Sequence, residues 1–344
     1  MTAPPGRLDD AAAPQPVPGA GRRRPVLRFL AAAVFTGLIA LTVLPDRLFG
    51  LDRRSPWAQL IAFRWQLLAL LLVLCVLLGV LTRFKRAAWP FMAGAVAMLV
   101  IGTVLVVPRF VADPVPTTGM PLKVLAFNVY EGRADVTAIA AAVRDQQPDI
   151  VSLEEAGDRF RQKITPLAEP LGYEVITSTG RGHPDVGGVT VLVSDRLGAV
   201  EHRIGSETSA FPYIEVTGGT LGALRFVAFH SVAPTVGEVG EWKHDLGLLS
   251  QWCSGPTPAV IAGDFNATLD HSPLRAGIQG CSDAADQRGD GLIPTWGPVQ
   301  WMRDIGPQID HIFETPGIEA ATFDVLPLPG SDHRAILSTV RIPT

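Results

Sequence analysis

The 344 residues divide by charge near residue 120: residues 1–119 carry 13 Lys and Arg against 5 Asp and Glu (+8), and residues 120–344 carry 16 against 28 (−12). Duplex binding rests on neutralising several phosphates with Lys and Arg, so a C-terminal part at −12 excludes DNA as the first guess for a substrate. The N-terminal third instead joins basic residues to long apolar runs, the composition of a membrane segment.

Residues 1–25, rich in Pro, Ala and Gly and ending near Arg22, Arg23 and Arg24, read as a disordered basic tail. Three apolar runs follow within 26–110: Val26 to Leu44, Leu60 to Leu81 and Ala88 to Val107. Each is near the ~20 residues that cross a bilayer core as a helix. A lone first run behind an Arg cluster would suit a signal peptide, with Ala31 to Ala33 as small residues for cleavage, but two further runs favour retention. Arg64 falls near the start of the second run, where it would snorkel, unless the span begins at Trp65. Five basic residues up to Arg28, with Arg83, Lys85 and Arg86, oppose Arg47, Arg53, Arg54 and Arg109 on the other side. That bias places the N-terminus in the cytoplasm and, after three spans, the C-terminal domain outside the cell membrane. Residues 111–121, containing ADPVPTTGMP, read as a stiff linker that lifts the domain off the membrane.

From residue 122 to 344 strands alternate with helices. Strands are expected at Lys123 to Val129, Ile150 to Glu154, Val189 to Ser194, Phe211 to Val216, Leu224 to His230 and Val260 to Gly263. Three more fall near Gln308 to Phe313, Ala321 to Val325 and Ala335 to Val340, with helices at Val136 to Asp145 and Glu238 to Cys253. So many strands with few helices predict an α/β fold, a four-layer sandwich of two packed mixed sheets flanked by helices. Cys253 and Cys281 flank the central strand and are a candidate disulfide in an oxidising compartment, the alternative being two unrelated buried thiols; Cys75 lies in the second span.

The stretch AVIAGDFNA, residues 259–267, runs a buried strand into Asp264 and Asn266, whose side chains share one face at strand spacing. A carboxylate and a carboxamide at a strand's C-terminal edge can grip a water, a metal or a phosphoryl oxygen, or can simply make an Asx turn. Other strands end alike: Asn128; Glu154 and Glu155; His230; Asp310 and His311; and Ser331, Asp332 and His333 before the last. Each alone reads as a turn or strand-end residue. Together they gather hard oxygen ligands and imidazoles without a Cys/His set at zinc spacing, which suits Mg²⁺ or Mn²⁺.

At these residues the sequence resembles the endonuclease/exonuclease/phosphatase superfamily, whose fold is like that of deoxyribonuclease I. The matching stretches are LAFNV at 125–129, PDIVSLEEA at 148–156, GGVTVLVS at 187–194, FVAFHS at 226–231, AGDFNA at 262–267, IDHIF at 309–313 and SDHR at 331–334. The layout of three spans and an outer domain resembles the actinobacterial VanJ-type proteins linked to teicoplanin resistance. The resemblance implies that Glu155, helped by Asn128 and with Asp332 close by, holds the metal. It implies that Asp264 orients or deprotonates the attacking water and that Asn266 holds a phosphate oxygen. His333, oriented by Asp310, and His230 would donate hydrogen bonds or a proton as charge builds on phosphorus in an in-line transfer. The sequence departs from the family where Glu154 replaces the usual Gln before the metal Glu, so either carboxylate could be the ligand, with Glu155 favoured by alignment. His311 stands where the family often has an aromatic and reads as a packed strand residue. Arg181, His183 and the PTW at 294–296 could line the cleft, though a loop charge and a buried aromatic explain them more simply, and His244 and His271 read as surface residues.

These features predict a membrane-anchored, metal-dependent phosphoesterase acting on a lipid-linked phosphate such as undecaprenyl pyrophosphate. Nucleic acid is not expected as a partner. A sphingomyelinase-like phosphodiesterase or a nuclease is the alternative within the enzyme class, and a non-catalytic membrane binding protein the alternative outside it.

Overall fold

The computed structural model describes residues 20–180 and 185–343; the tail 1–19 and the cleft candidates Arg181 and His183 lie outside the described residues. Four helices open the chain: α1 (Ala20–Val43), the short α2 (Trp57–Ile61), α3 (Arg64–Phe84) and α4 (Trp89–Val106). The first helix thus begins at Ala20, inside the stretch read as a disordered tail, and contains Pro25. Three segments, Pro25–Val43, Arg64–Phe84 and Arg86–Phe110, are long and apolar enough to cross a membrane. Gly102 of α4 lies directly against Leu68 of α3 and Val43 of α1, a close approach that any Cβ would obstruct.

The remainder builds two six-stranded mixed sheets. In chain order the strands are β1 (Met120–Asn128), β2 (Ile150–Glu154), β3 (Tyr173–Thr179), β4 (Gly188–Ser194), β5 (Val200–Gly205), β6 (Tyr213–Gly218), β7 (Arg225–His230), β8 (Ala259–Asp264), β9 (Ser282–Asp283), β10 (Asp310–Glu314), β11 (Glu319–Leu326) and β12 (Ala335–Ile342). The first sheet has the order β11-β12-β1-β2-β4-β3 and the second β5-β6-β7-β8-β10-β9. Only β1 with β2 and β7 with β8 pair in parallel. Between the sheets lie Leu122, Val124, Ala126, Ile150, Val191, Phe226, Ala228, Val260, Ala262 and Ile312, all buried.

The alternate residues of the same strands face outward, as period-2 geometry demands. On the first sheet, Leu125, Phe127, Val151 and Leu153 pack with Ile139 and Val143 of α5 (Val136–Gln146) and with Phe160 and Ile164 of α6 (Asp158–Ala168). On the second, Val227, Phe229, Ile261 and Phe313 pack with Trp242 of α7 (Val239–Leu248), Trp252 of α8 (Ser250–Cys253) and Leu274 of α9 (Ser272–Gly277). The short α10 (Ala284–Gln287) instead puts Ala284 and Ala285 into the inter-sheet core. The expected sandwich is the observed one, with differences in detail. The single helix expected over Glu238 to Cys253 breaks at Leu249 into α7 and α8. The strands β3, β5 and β9 were not foreseen: β5 alternates no apolar face, and its His202, Arg203 and Ile204 are exposed on a sheet edge.

Cys253 and Cys281 are disulfide-bonded across a separation of 28 residues, tying α8 to the segment ahead of β9; Cys75 is a buried free thiol. A loop of that size predicts that Cys253→Ala with Cys281→Ala lowers stability by roughly 2–4 kcal/mol, read as a lower thermal midpoint that dithiothreitol reproduces in the parent protein. An unchanged midpoint would show the bridge to be dispensable.

The linker does not hold the domain away from the helices. Arg64 donates to Val43 O (3.0 Å) and to Asp270 Oδ1 (2.6 Å), and also pairs with Asp46, all with buried side chains. Arg109, just beyond α4, joins the same Asp270 (2.7 Å), and Arg275 reaches Asp46 (2.8 Å). So Arg64, at the start of α3, turns inward as a buried partner of the domain. His271, expected at the surface, is buried, its Nε2 lying 2.8 Å from Ala58 O, while the Asp52 carboxylate accepts from Ser272 N–H at 2.6 Å. Burial resists ionisation of Asp270, yet Arg109 and Arg64 outweigh it and hold the carboxyl below its usual range.

Candidate active site

Strand parity gathers the polar residues. Asn128 follows Leu122, Val124 and Ala126 on the inter-sheet face of β1; Glu154 follows Ile150 and Ser152 on β2; His230 follows Phe226 and Ala228 on β7; Asp264 follows Val260 and Ala262 on β8. Asp310 begins antiparallel β10 in register with Asp264, and His230 is in register with Asp264 on the other side. Both sheets therefore carry polar side chains into the cleft at one end of the core.

Gly263 makes the last step possible. Its φ of 145° is one that L side chains rarely adopt, and a Cβ there would run into Phe229 O. Beyond it Asn266 (φ 48°), and across the cleft Tyr130 (φ 48°), Glu131 (φ 53°) and Glu155 (φ 56°), are non-glycine residues in the left-handed region. Such strain gathered at one place marks a site that the surrounding fold over-determines.

Asp264 is the hub. Its Oδ2 accepts from Asn128 Nδ2 (2.9 Å) and lies 3.7 Å from both His230 Nε2 and His333 Nε2, while Oδ1 accepts from Asn266 N–H (2.8 Å). Burial pushes the Asp264 carboxyl up, the His333 imidazolium pulls against it and Asp310 adds to it, for a value of about 7. His333 Nδ1 is 3.0 Å from Asp310 Oδ2, and Asp310 is itself placed by Thr295, whose hydroxyl accepts from Ile309 N–H (3.0 Å) and Asp310 N–H (3.1 Å). Burial opposes charge on His333, but Asp310 and Asp264 prevail and push it up to about 10. It is a proton donor across the neutral range. His230, stacked on Phe211 at 4.1 Å between centroids, has the opposite fate: burial, with the His333 charge added, lowers it to about 3. Hence His230 offers an N–H rather than a charge. Asn266 commits one amide N–H to Ser231 O (3.0 Å), leaving the other to meet an incoming oxygen.

Glu155 accepts from Asn128 Nδ2 (3.1 Å) and Glu131 N–H (2.6 Å). Burial raises its carboxyl, its hydrogen bonds oppose the shift, and Asp332 is near enough to add to it. Asp332 accepts from Trp296 Nε1 at 3.1 Å, and its other oxygen, Oδ1, is buried without a partner. Two sets of side chains could take a cation. In one, Asp264, Asp310 and His333 bring ligand atoms within 4.8 Å of one another, but Asp310 is already engaged with His333 Nδ1, and both Asp264 oxygens accept from Asn128 and Asn266. In the other, Glu155 and Asp332 offer hard oxygens, one of them orphaned, beside Asn128, and a divalent ion there would relieve the crowding of two carboxylates. The second set fits better.

Glu154 stands behind the site. Burial pushes its carboxyl well above the usual range, Ser152 donates to its Oε1, and Asp310 and Asp264 raise it further. A neutral Glu has nearly the shape of Gln and likewise carries one donor and one acceptor, which accounts for the departure from the family's usual residue. Glu154→Gln should therefore leave turnover within about threefold of the parent, because the amide reproduces the neutral acid's shape and bonding, whereas a large loss in a phosphate-release assay would make Glu154 a charged ligand. His311 is buried against Asp283 (2.6 Å) and Ala267 O (2.9 Å), a packed strand residue outside the cleft. His244 is exposed. Sequence reasoning did not find Phe211, which supports His230 from a different strand and is linked to it by no spacing pattern; of the PTW at 294–296, named there as possible cleft lining, Thr295 places Asp310 and Trp296 holds Asp332.

The sequence pattern described as the Endonuclease/Exonuclease/phosphatase family matches residues 125–333, which span every site residue named above. The chain belongs to this family. Members of the endonuclease/exonuclease/phosphatase family are hydrolases of phosphoester bonds and generally use divalent metals. Solved structures share its fold at low identity. A family protein from Bacteroides thetaiotaomicron is 15% identical with a TM-score of 0.52, over 66% of this chain and 100% of that one. A family protein from Leptotrichia buccalis is 15% identical (TM-score 0.51; 64% and 100%), and a humanized D. rerio TDP2 is 18% identical (TM-score 0.51; 64% and 99%). No curated protein matches the chain.

Proposed function

We propose that this protein is a membrane-anchored, divalent-metal-dependent phosphoesterase that hydrolyses a lipid-linked phosphate, undecaprenyl pyrophosphate or a related cell-wall carrier, outside the cell membrane, as a VanJ-type protein linked to teicoplanin resistance. The observation that carries the reading is where the membrane helices meet the domain. Pro234, Asp270, His271 and Gly306 all lie in loops at the site end of the second sheet, and they meet Gln59, Arg64, Ala58 and Gln66 respectively. The cleft thus opens beside the helix ends, within reach of a headgroup.

In this reading Asp264, raised by burial and flanked by two imidazoles, receives the proton of the attacking water. His333, held charged by Asp310, donates to the departing oxygen, and the N–H groups of His230 and Asn266 meet the developing charge on phosphorus. A divalent cation at Glu155 and Asp332 supplies charge neutralisation when bound. A nuclease is less well supported: the 610 Å³ groove beside Glu131 offers Arg133, Arg159 and Lys163, but Glu131, Asp135 and Asp185 line it equally and leave no basic track.

The test is turnover by the detergent-purified full chain, with and without Mg²⁺, read as inorganic phosphate from undecaprenyl pyrophosphate, phosphocholine from a sphingomyelin-type diester and shortened strands from single-stranded DNA. Metal-dependent release from the pyrophosphate lipid supports the proposal. Cleavage of DNA alone, or silence on all three, would replace it with the nuclease or with the non-catalytic binding protein.

A further inference from the structure

The loop between α10 and β10 carries a patch that nothing in the phosphoesterase chemistry uses. Within it Val299, Trp301 and Ile305 are 44%, 72% and 50% exposed, three large apolar side chains in seven residues. Loops on a water-facing surface seldom show such a sequence without a partner. The patch stands at a definite height. Gln66, in the first turn of α3, donates through Nε2 to Ile305 O (3.0 Å) and Gly306 O (2.9 Å). Trp65 and Phe110, from the start of α3 and just beyond α4, line a 310 Å³ cavity together with Leu292, Ile293, Pro294 and Asp304 of the same loop. Phe110 and Val111 are exposed there as well. The loop therefore lies level with the ends of two helices that are apolar enough to span a membrane.

Its other side is tied to the reacting residues. The Arg303 guanidinium, buried, donates to Leu328 O (3.0 Å), Ser331 O (3.1 Å) and His333 O (3.4 Å). Gly297 N–H donates to Asp332 O (3.1 Å), and the Trp296 indole holds the Asp332 carboxylate. One loop thus runs from the helix ends to the backbone of His333 and Asp332.

We infer that residues 298–305 lie in the headgroup layer of the bilayer, with Val299, Trp301 and Ile305 as a lipid-contact patch that seats the cleft on the membrane surface and presents lipid-borne phosphate to it. Trp and aliphatic side chains flanked by the exposed Asp304 suit that layer, where an apolar body meets acyl chains and the polar groups stay wet. The inference rests on the proposed lipid substrate for its role in turnover, but not for the membrane contact itself.

The experiment uses the full chain with Cys75→Ala, reconstituted in vesicles of phosphatidylcholine and phosphatidylglycerol. A Trp301→Cys variant is labelled with an environment-sensitive fluorophore, and Glu169→Cys, exposed beyond the far end of α6, is the reference. The label at position 301 should emit at shorter wavelength and be quenched by nitroxide lipids, while that at 169 should do neither. Equal, water-like behaviour at both positions would overturn the inference. A blue shift that grows with protein concentration and is not quenched by lipid nitroxides would also overturn it, assigning the patch to a second copy of the chain. In parallel, Trp301→Ser with Ile305→Ser should lower kcat/KM on vesicle-borne undecaprenyl pyrophosphate by about tenfold or more while sparing a soluble phosphoester, since each buried apolar side chain adds to interfacial affinity. Failure of all turnover on lipids would remove the proposed substrate and leave the quenching result to decide the membrane contact.

Discussion

His333→Ala should lower phosphate release by on the order of 10²–10⁴-fold, the range for loss of a positioned proton donor, with thermal unfolding still cooperative. The expectation rests on the 3.0 Å contact with Asp310 and the 3.7 Å approach to Asp264, which favour the charged imidazole across the neutral range. A variant with parental turnover would remove His333 from the chemistry. The same charge has a signature in stability. Because the folded value, about 10, lies above the ordinary 6.5, the ionised pairing adds stability that is complete below about pH 6.5 and is lost as pH rises through about 10. The gap in thermal midpoint between the parent and His333→Gln should accordingly be widest in mild acid and narrow toward pH 10. A gap that widened with pH would mean that the ring is neutral.

The second large effect lies away from the cleft. Asp270→Asn leaves the buried Arg64 and the half-buried Arg109 short of a negative partner, and breaking a buried pair in this way costs about 3–5 kcal/mol. The expected result in detergent is a much lower thermal midpoint together with new protease cleavage between residues 107 and 121. Asp304→Asn provides the contrast, since its 3.6 Å pairing with Arg334 is open to water and should matter little. Equal midpoints for the two variants would show that the helices and the domain are only tethered.

Much of this architecture was legible in the chain. The alternation of Val260, Ala262 and Asp264 fixes the face on which the carboxylate emerges, and the same parity places Asn128, His230 and Asp310, so their meeting at one end of the core could be read without coordinates. What pattern could not supply was pairing across large separations. Arg64 looked like a snorkelling residue because one of its two acidic partners, Asp270, stands 206 positions away. His271 looked like a surface residue because its acceptor, Ala58 O, belongs to the membrane segment. Glu154 could be taken for a ligand because the burial that raises its carboxyl comes from the packing of the two sheets, which no local spacing reports.

The separation between Arg64 and Asp270 also orders the protein's birth. Arg64 leaves the ribosome long before residue 270 is made, and at that stage Asp46 is the one of its two acidic partners already present. Burial of that guanidinium in its final place then awaits synthesis and folding of the C-terminal domain, so the start of α3 is completed last although it is made early.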